Sequence, residues 1–253
     1  MTITQLIRDI DNEVIEGETI SESFPNNLTG MSGRKFRTLV VELVRRSQSG
    51  CYLEIGTFRG KTILTSANAN PDKDHVAVDN FSQFDKDGEN LRILNEASNE
   101  LTNFKIHDQD YEIMLRESRL PKAGVYFFDA SHDYRSQIIA LINAPRFLTE
   151  GGVILVDDTN YHHVRYASYD FVTAFPAFKL VAEIYTGIHP GKLAGAEKEH
   201  VVATWWNGVN VIVHDPDNKY ENVELQWDDA IRDQLTKNGQ AGCDARSIKS
   251  QIS

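Results

Sequence analysis

The chain has 253 residues, of which 41% are hydrophobic and 25% are charged, and its formal net charge is −11. This length suits one large α/β domain with a buried core, and the negative charge disfavours nucleic acids and anionic membranes as partners. No apolar run approaches the ~20 residues that span a bilayer. We expect a cytoplasmic protein, because the two cysteines form no disulfide framework and the N-terminus is acidic where an export signal would be apolar.

Helical spacing of apolar residues opens the chain, and strand and helix signals then alternate. Residues 3–15 and 33–48 have the pattern of amphipathic helices. The alternation after them is typical of a Rossmann-like, doubly wound α/β sheet. The predicted strands are Tyr52–Ile55, His75–Val78, Asn103–Ile106, Val125–Phe128 and Val153–Val156, and the predicted helices lie near residues 59–69, 84–101, 110–118, 134–143 and 163–175.

Two more strand signals, Phe178–Tyr185 and Thr204–His214, have little helix between them and predict an antiparallel pair that closes the sheet. Trp205 and Trp206 should alternate on the second of these strands, one of them towards the core. The predicted fold is therefore a seven-stranded sheet, mostly parallel with an antiparallel last strand, plus N-terminal helices and a C-terminal tail. The expected domains are an N-terminal helical cap (1–50), a core domain (51–215) and a helical tail packed on the core (216–253).

The first predicted strand ends in an acidic residue and leads into a glycine-containing turn, Glu54–Gly60. Gly56 allows a sharp turn and leaves room for a ligand near the start of the next helix. The second strand ends at Asp79, which is placed to accept hydrogen bonds from ribose hydroxyls. The turn lacks the middle glycine of a dinucleotide fingerprint, because Phe58 stands there, and this disfavours NAD. The pattern favours a nucleoside site over the alternative of a plain tight turn.

The segment 126–160 contains two apolar strands that each run into acidic residues. Asp129 follows the first strand, and Asp157 and Asp158 follow the second. Because ligands bind at the carboxyl ends of parallel strands, these carboxylates are candidate ligands of a hard divalent cation such as Mg²⁺. His132 adds a base beside them. The alternatives are that the acids cap the following helices and that His132 is a surface residue.

The residues at the first two strand ends resemble motifs of one enzyme family. Glu54–Gly60 and Asp79 resemble motif I and the acidic motif of class I S-adenosylmethionine-dependent methyltransferases. The stretch from Gly30 to Gly208 resembles the macrocin-type O-methyltransferases and cephalosporin-hydroxylase-like proteins. The resemblance implies S-adenosylmethionine as cofactor. It places Asp110 near the adenine amine, and Asp108 and Gln109 are the alternatives for that contact. The implied cofactor-binding residues are Glu54, Gly56, Thr57, Gly60, Asp79 and Asp110.

The segment 126–160 resembles the metal-dependent O-methyltransferases of the catechol, caffeoyl-CoA and macrolide-sugar types. This resemblance implies that Asp129, Asp157 and Asp158 hold a divalent ion and that His132 is the general base. The catechol type has Asn where this chain has Asp158. Because three carboxylates overcompensate a divalent charge, either Asp158 lies behind the direct ligands or the acceptor is less anionic than a catecholate.

The sequence therefore predicts an S-adenosylmethionine-dependent O-methyltransferase that uses Mg²⁺ or a similar ion and acts on a hydroxylated small molecule, a sugar or a phenolic natural product. The alternatives are an NAD-dependent oxidoreductase and a non-catalytic nucleoside-binding protein of the same fold. Neither nucleic acid nor membrane is expected as a partner, and a homo-oligomer is compatible with the sequence. The segment 186–203 is interpreted either as an acceptor-binding loop or as disordered chain. Leu225, Trp227, Ile231 and Leu235 would cover the core or a subunit contact.

Overall fold

The computed structural model describes residues 2–12, 28–186, 190–195, 199 and 204–233. Residues Met1–Val223 form one compact unit and residues Glu224–Ser253 a second one. In the second unit, the Arg232 guanidinium lies over the Trp227 ring, 5.3 Å from the ring centroid. Leu235 and most of the segment 186–203 lie outside the described residues, so the predictions for the tail packing and for the loop stay predictions.

Among the described residues of the first unit, seven strands form one sheet and seven α-helices with defined bounds accompany it. The strands are β1 (Cys51–Ile55), β2 (His75–Asp79), β3 (Phe104–Asp108), β4 (Ala123–Phe128), β5 (Leu148–Asp157), β6 (Phe178–Ile184) and β7 (Val209–His214). The helices are α1 (Ile3–Asp11), α2 (Arg34–Arg46), α3 (Lys61–Ala69), α4 (Asn90–Ser98), α5 (Tyr111–Arg116), α6 (Tyr134–Asn143) and α7 (His162–Ala174).

The strand order is β3-β2-β1-β4-β5-β7-β6. The pairs from β3 to β5 are parallel, whereas β7 runs antiparallel to both β5 and β6. The predicted Rossmann-like sheet with an antiparallel last strand is therefore confirmed. The order reverses direction beside β1, and ligands of such sheets bind at the carboxyl ends of the strands around that point.

Helices cover both faces of the sheet. One hydrophobic core cluster contains residues of the four helices α1, α2, α3 and α4. It also contains alternate residues of the strands, such as Phe127 and Leu155. On the other face the Phe128 ring packs against Tyr111 of α5, and the Tyr126 ring packs against Phe147. Every residue of β4 is buried, as expected for a central parallel strand. None of the helices in the described ranges is both long and apolar enough to cross a membrane.

The helix predicted over residues 84–101 is shorter, because α4 begins at Asn90. The Asp85 carboxylate accepts hydrogen bonds from the backbone N–H groups of Glu89 and Asn90, which holds the preceding residues in a loop. Phe84 has a φ of 56° and cannot continue a right-handed helix. Local hydrogen bonds and a left-handed residue thus outweigh the helical periodicity.

The last strand begins at Val209 and not at Thr204, because residues 204–207 form a turn. Trp206 has a φ of 61° and Gly208 a φ of 87°, both incompatible with an extended strand. The prediction that Trp205 and Trp206 alternate on a strand was therefore wrong. Trp205 is nevertheless buried in the core.

Candidate functional site

A cleft lies along the carboxyl ends of β1, β2, β3 and β4. It is lined by one or more residues from each of the connections that follow these strands. The predicted site residues that it brings together are Gly56, Asp79, Asp110, Asp129 and His132. Their convergence follows from the parallel sheet, since residues far apart in the chain leave neighbouring strands at one edge.

Gly56 lies where the connections after β1 and β4 cross. Its φ is 86°, and a Cβ atom on it would lie 2.1 Å from the carbonyl oxygen of Asp129. The Gly56 N–H donates to Val78 O, and the Asp129 N–H donates to Ile55 O. The glycine is required at this position because the backbone of another connection fills the space that a side chain would take.

Asp79 organises the turn after β1. Its Oδ2 accepts hydrogen bonds from the N–H groups of Thr57 and Phe58, each at 2.8 Å. Its Oδ1 accepts one from the N–H of Phe81 at 2.7 Å. Each carboxylate oxygen can accept about two hydrogen bonds, so Oδ1 keeps one position for a ligand hydroxyl. The ribose contact predicted for Asp79 stays a prediction.

Asp110 is the N-cap of α5. Its Oδ1 accepts hydrogen bonds from the N–H groups of Glu112 at 2.8 Å and Ile113 at 3.2 Å. Its Oδ2 lies 3.5 Å from Asn80 Nδ2. Of the two alternatives for the adenine contact, Gln109 also lines the cleft, whereas Asp108 does not.

Three of the predicted cofactor-binding residues lie behind the cleft surface. Glu54 is buried and accepts a hydrogen bond from the Tyr52 hydroxyl at 2.6 Å. Burial raises the pKa of Glu54 to about 8. Thr57 is buried too, and Gly60 lies against α4, where a Cβ atom would be 2.3 Å from Leu94 Cδ1. These residues support the turn from behind.

Asp129 and Asp157 lie side by side because β4 and β5 pair in register up to Phe128 and Val156. Burial, and next the charge of the neighbouring acids, raise the pKa of both carboxyl groups well above the usual value. Two carboxylates this close cannot both ionise freely, so they hold a proton or need a cation between them.

Asp158 follows Asp157 and contacts both Asn207 and His132. It has a φ of 58°, a conformation that Asp tolerates better than most residues. Its Oδ1 accepts a hydrogen bond from Asn207 Nδ2 at 2.5 Å, and its Oδ2 lies 3.3 Å from His132 Nε2. His132 Nε2 also lies 3.8 Å from Asp129 Oδ1. The histidine ring therefore faces two carboxylates at the end of the cleft.

Asn207 was not assigned a role from the sequence. It is fully buried and lies in the turn before β7, next to Asp158 in space. The dipeptide Asn207-Gly208 indicates a turn. Nothing in the sequence, however, connects that turn with the carboxyl end of β5, because the contact depends on β7 pairing with β5.

Within the described residues, no group of three or more His, Cys, Asp and Glu side chains is arranged to hold a metal ion. Asp129 and Asp157 converge as a pair, while Asp158 is engaged by Asn207 and His132. Two carboxylates are compatible with Mg²⁺, which is often bound by one or two carboxylates together with water and substrate oxygens. The donor set thus fits a hard cation through this pair.

Comparison with known proteins agrees with this architecture. Residues 53–159 match the family model described as "Methyltransferase domain". A tRNA (guanine-N(7)-)-methyltransferase from Paenarthrobacter aurescens (strain TC1) is 27% identical over 202 residues, which cover 75% of this chain and 62% of that relative. The match therefore spans less than two thirds of the relative's length.

Solved structures share the fold at low sequence identity. The O-methyltransferase from Bacillus cereus in complex with SAH has 13% identity and a TM-score of 0.53, over 84% of this chain and 90% of that chain. The O-methyltransferase TomG from Streptomyces achromogenes, involved in tomaymycin synthesis and solved with SAM, has 15% identity and a TM-score of 0.54, over 85% and 90%. Residues 53–159 thus match a methyltransferase domain model, and the chain shares the fold of these two solved O-methyltransferases.

Proposed function

We propose that this protein transfers a methyl group from S-adenosylmethionine to a hydroxyl group of a small molecule, with a divalent ion bound beside the acceptor. The observation that carries the proposal is the position of His132 Nε2, 3.3 Å from Asp158 Oδ2 and 3.8 Å from Asp129 Oδ1. This base stands in the same cleft as Asp79 and Asp110. A proton acceptor and a nucleoside-binding edge therefore share one cavity.

The strand ends of β1, β2 and β3 supply the cofactor half of the cleft. S-adenosylmethionine, when bound, supplies a methyl group on a positively charged sulfur. Asp79 Oδ1 has capacity for a further hydrogen bond, and Asp110 lines the cleft beside it. Acidic side chains at these strand ends suit ribose hydroxyls and amino groups, which donate hydrogen bonds.

The ends of β4 and β5 supply the acceptor half. A neutral hydroxyl is a poor nucleophile, so its proton must leave as the new bond forms. The His132 ring would take that proton, and the nearby carboxyl groups of Asp158 and Asp129 would stabilise the positive charge that develops on the ring. A guanine N7 atom carries no proton and needs no such base, so this arrangement favours a hydroxyl acceptor.

Asp129 and Asp157 would hold the divalent ion. The ion would lower the pKa of the acceptor hydroxyl and orient it. Support comes from the adjacent positions of the pair at the ends of β4 and β5 and from its raised pKa, because a cation can replace the proton that otherwise relieves the repulsion between the two carboxyl groups. Asp158 would act on His132 in this scheme and would not be a direct ligand.

A methyl-transfer assay tests the proposal. Purified protein is incubated with methyl-labelled S-adenosylmethionine and either 3,4-dihydroxybenzoate, a nucleotide sugar or bulk tRNA, with Mg²⁺ or with a chelator. We expect label in a hydroxylated small molecule, and loss of turnover with the chelator. Calorimetry should show binding of S-adenosylmethionine and none of NAD.

Each contrary result removes a different part of the proposal. Binding of NAD in place of S-adenosylmethionine would favour the oxidoreductase alternative. Full turnover in the chelator would remove the ion. Label in tRNA alone would point to the activity in the name of the 27% identical relative, although a net charge of −11 disfavours a polyanionic substrate.

A further inference from the structure

A line of hydrogen bonds leads from the end of β6 to His132. The N–H of Thr186 donates to Asn160 Oδ1 at 3.1 Å, and Asn160 Nδ2 donates to Asn207 Oδ1 at 2.9 Å. Asn207 Nδ2 then donates to Asp158 Oδ1 at 2.5 Å. Asp158 Oδ2 is left facing His132 Nε2 at 3.3 Å.

The backbone N–H of Thr186 determines the direction of every hydrogen bond that follows it in this line. A backbone N–H can only donate, so the oxygen of the Asn160 amide must face Thr186 and its nitrogen must face Asn207. The Asn207 amide is oriented in turn, with its oxygen towards Asn160 and its nitrogen towards Asp158. An amide turned the other way would place its oxygen against a carboxylate.

The backbone holds the same residues in place. Asn160 N–H donates to Asn207 O at 3.1 Å, and Thr186 Oγ1 donates to Trp206 O at 2.8 Å. A Cβ atom at Gly208 would lie 2.8 Å from Ile184 O, so only glycine allows this close approach. Asn207 itself is fully buried and has little freedom to move.

We propose that Asn207 is a positioning residue that directs the Asp158 carboxylate at His132 Nε2. With Oδ1 occupied by the Asn207 amide, Asp158 presents Oδ2 to the imidazole ring in one orientation. The inference rests on the proposed function for its catalytic consequence, since Asn207 would then hold the base in its orientation through Asp158.

Two substitutions remove the donor while conserving size. Asn207→Leu removes both hydrogen bonds of the amide, and Asn207→Asp keeps its shape and can still accept from Asn160 but, when ionised, presents to Asp158 an oxygen that repels it in place of the NH₂ donor. Asn210→Leu is the matched control, because Asn210 is equally buried and, among the described residues, neither atom of its amide has a hydrogen-bond partner. Circular dichroism and thermal melting establish that each variant is folded.

The readout is the ring-nitrogen spectrum of His132 in the full chain. Long-range proton–nitrogen correlations of histidine-labelled protein at neutral pH give one set of signals for each of the eight histidines. His132→Gln identifies the set that belongs to His132. We expect the Nε2 signal to shift in both Asn207 variants and to stay unchanged in Asn210→Leu.

An Nε2 signal that is unchanged in Asn207→Leu and Asn207→Asp would overturn the inference, as would an equal shift in the control. If Asn207→Leu does not fold, the isosteric Asn207→Asp decides the matter. In the methyl-transfer assay, the Asn207 variants should lower kcat and leave KM for S-adenosylmethionine unchanged. Absence of methyl transfer by the parent, with the spectra as expected, would refute the proposed function and leave the positioning role intact.

Discussion

His132 has two properties that a proton acceptor needs. Its ring lies at the cleft, and nearby carboxylates can stabilise a positive charge on the ring. Its Nε2 faces the end of the cleft, and two carboxylates lie within 3.8 Å of that nitrogen. A positive charge on the ring is therefore favoured where the acceptor would release its proton. Burial and the charge of neighbouring acids raise the pKa of Asp129 and of Asp157, which makes this pair a weaker candidate for carrying a free negative charge without a cation.

Replacing His132 by Gln should lower kcat about 10²–10⁴-fold, because glutamine cannot take up a proton. The dissociation constant of S-adenosylmethionine should stay unchanged, because His132 lies at the acceptor end. Steady-state kinetics and calorimetry measure the two quantities. His107→Gln is the control, since His107 lies on β3 and does not line the cleft. An unchanged kcat in His132→Gln would exclude His132 as the base.

Asp79→Asn should destabilise the turn after β1 and weaken binding of S-adenosylmethionine. Asparagine has an NH₂ group in place of one carboxylate oxygen, and this group cannot accept a hydrogen bond. At least one of the backbone N–H groups that now donate to Asp79 therefore loses its acceptor. We expect a loss of about 1–3 kcal/mol in the free energy of unfolding. Urea denaturation measures it, with the exposed Asp72→Asn as control. Equal stability of both variants would show that the turn does not depend on the carboxylate.

At the scale of elements, the turn before α3 and the connection before α6 form one unit. Gly56 belongs to the first and Asp129 to the second, and their backbones approach too closely for a side chain. Asp129 begins the connection that also carries His132. A change in the glycine turn should therefore reach the acid pair and the base, although neither is near it in the sequence.

Gly56→Ala should cost about 3 kcal/mol or more, because the added methyl group meets the Asp129 carbonyl at 2.1 Å in a backbone with a φ of 86°. Gly88→Ala is a matched control: its φ is 68°, but nothing lies within 4 Å of the added atom. It should cost about 1 kcal/mol, from backbone strain only. Denaturant unfolding compares the two variants, and equal losses would contradict the crowding at Gly56.

At the scale of the whole molecule, burial of ionisable groups makes stability depend on pH. Burial raises the pKa of Glu54 from 4.5 to about 8, so the folded state binds its proton more tightly than the unfolded state does. The resulting stability is fully present below about pH 4.5 and is lost as the pH rises through 8. Burial lowers the pKa of His75 to about 4, so its contribution has the opposite sense and is lost as the pH falls below 6.5.

Between pH 7 and 9, where His75 is neutral in both states, we expect the parent to lose stability as the pH rises. Glu54→Gln should flatten this dependence, because glutamine keeps an acceptor for the Tyr52 hydroxyl and does not ionise. Because most of the loss lies below pH 7, the Glu54-dependent change in stability between pH 7 and pH 9 should be about 1.4 kcal/mol. Denaturant unfolding at several pH values measures it. Parallel pH profiles for the two proteins would mean that Glu54 does not titrate in this range.

Local patterns in the sequence determined the architecture and the placing of the acidic residues. Alternating strand and helix signals predicted the parallel sheet, and a strand–helix–strand unit over 126–160 placed Asp129 and Asp157 on neighbouring strands. These features depend on periodicity and on short connections, which neighbouring residues specify. The start of α4 escaped prediction because the hydrogen bonds of Asp85 compete with helical periodicity.

Only the tertiary structure decided how the side chains are used. The sequence indicated Asp79 as a ligand-binding acid, but in the structure most of its acceptor capacity holds the turn at Thr57 and Phe58. Asp158 was grouped with the other acids, but its contact with Asn207 directs it at His132. Such contacts join residues that are distant in the chain and depend on the direction of each side chain. The periodicity and spacing of the sequence carry no information about these contacts or about the direction of the side chains. Both arise only when β7 pairs with β5 and the connections after the strands pack together.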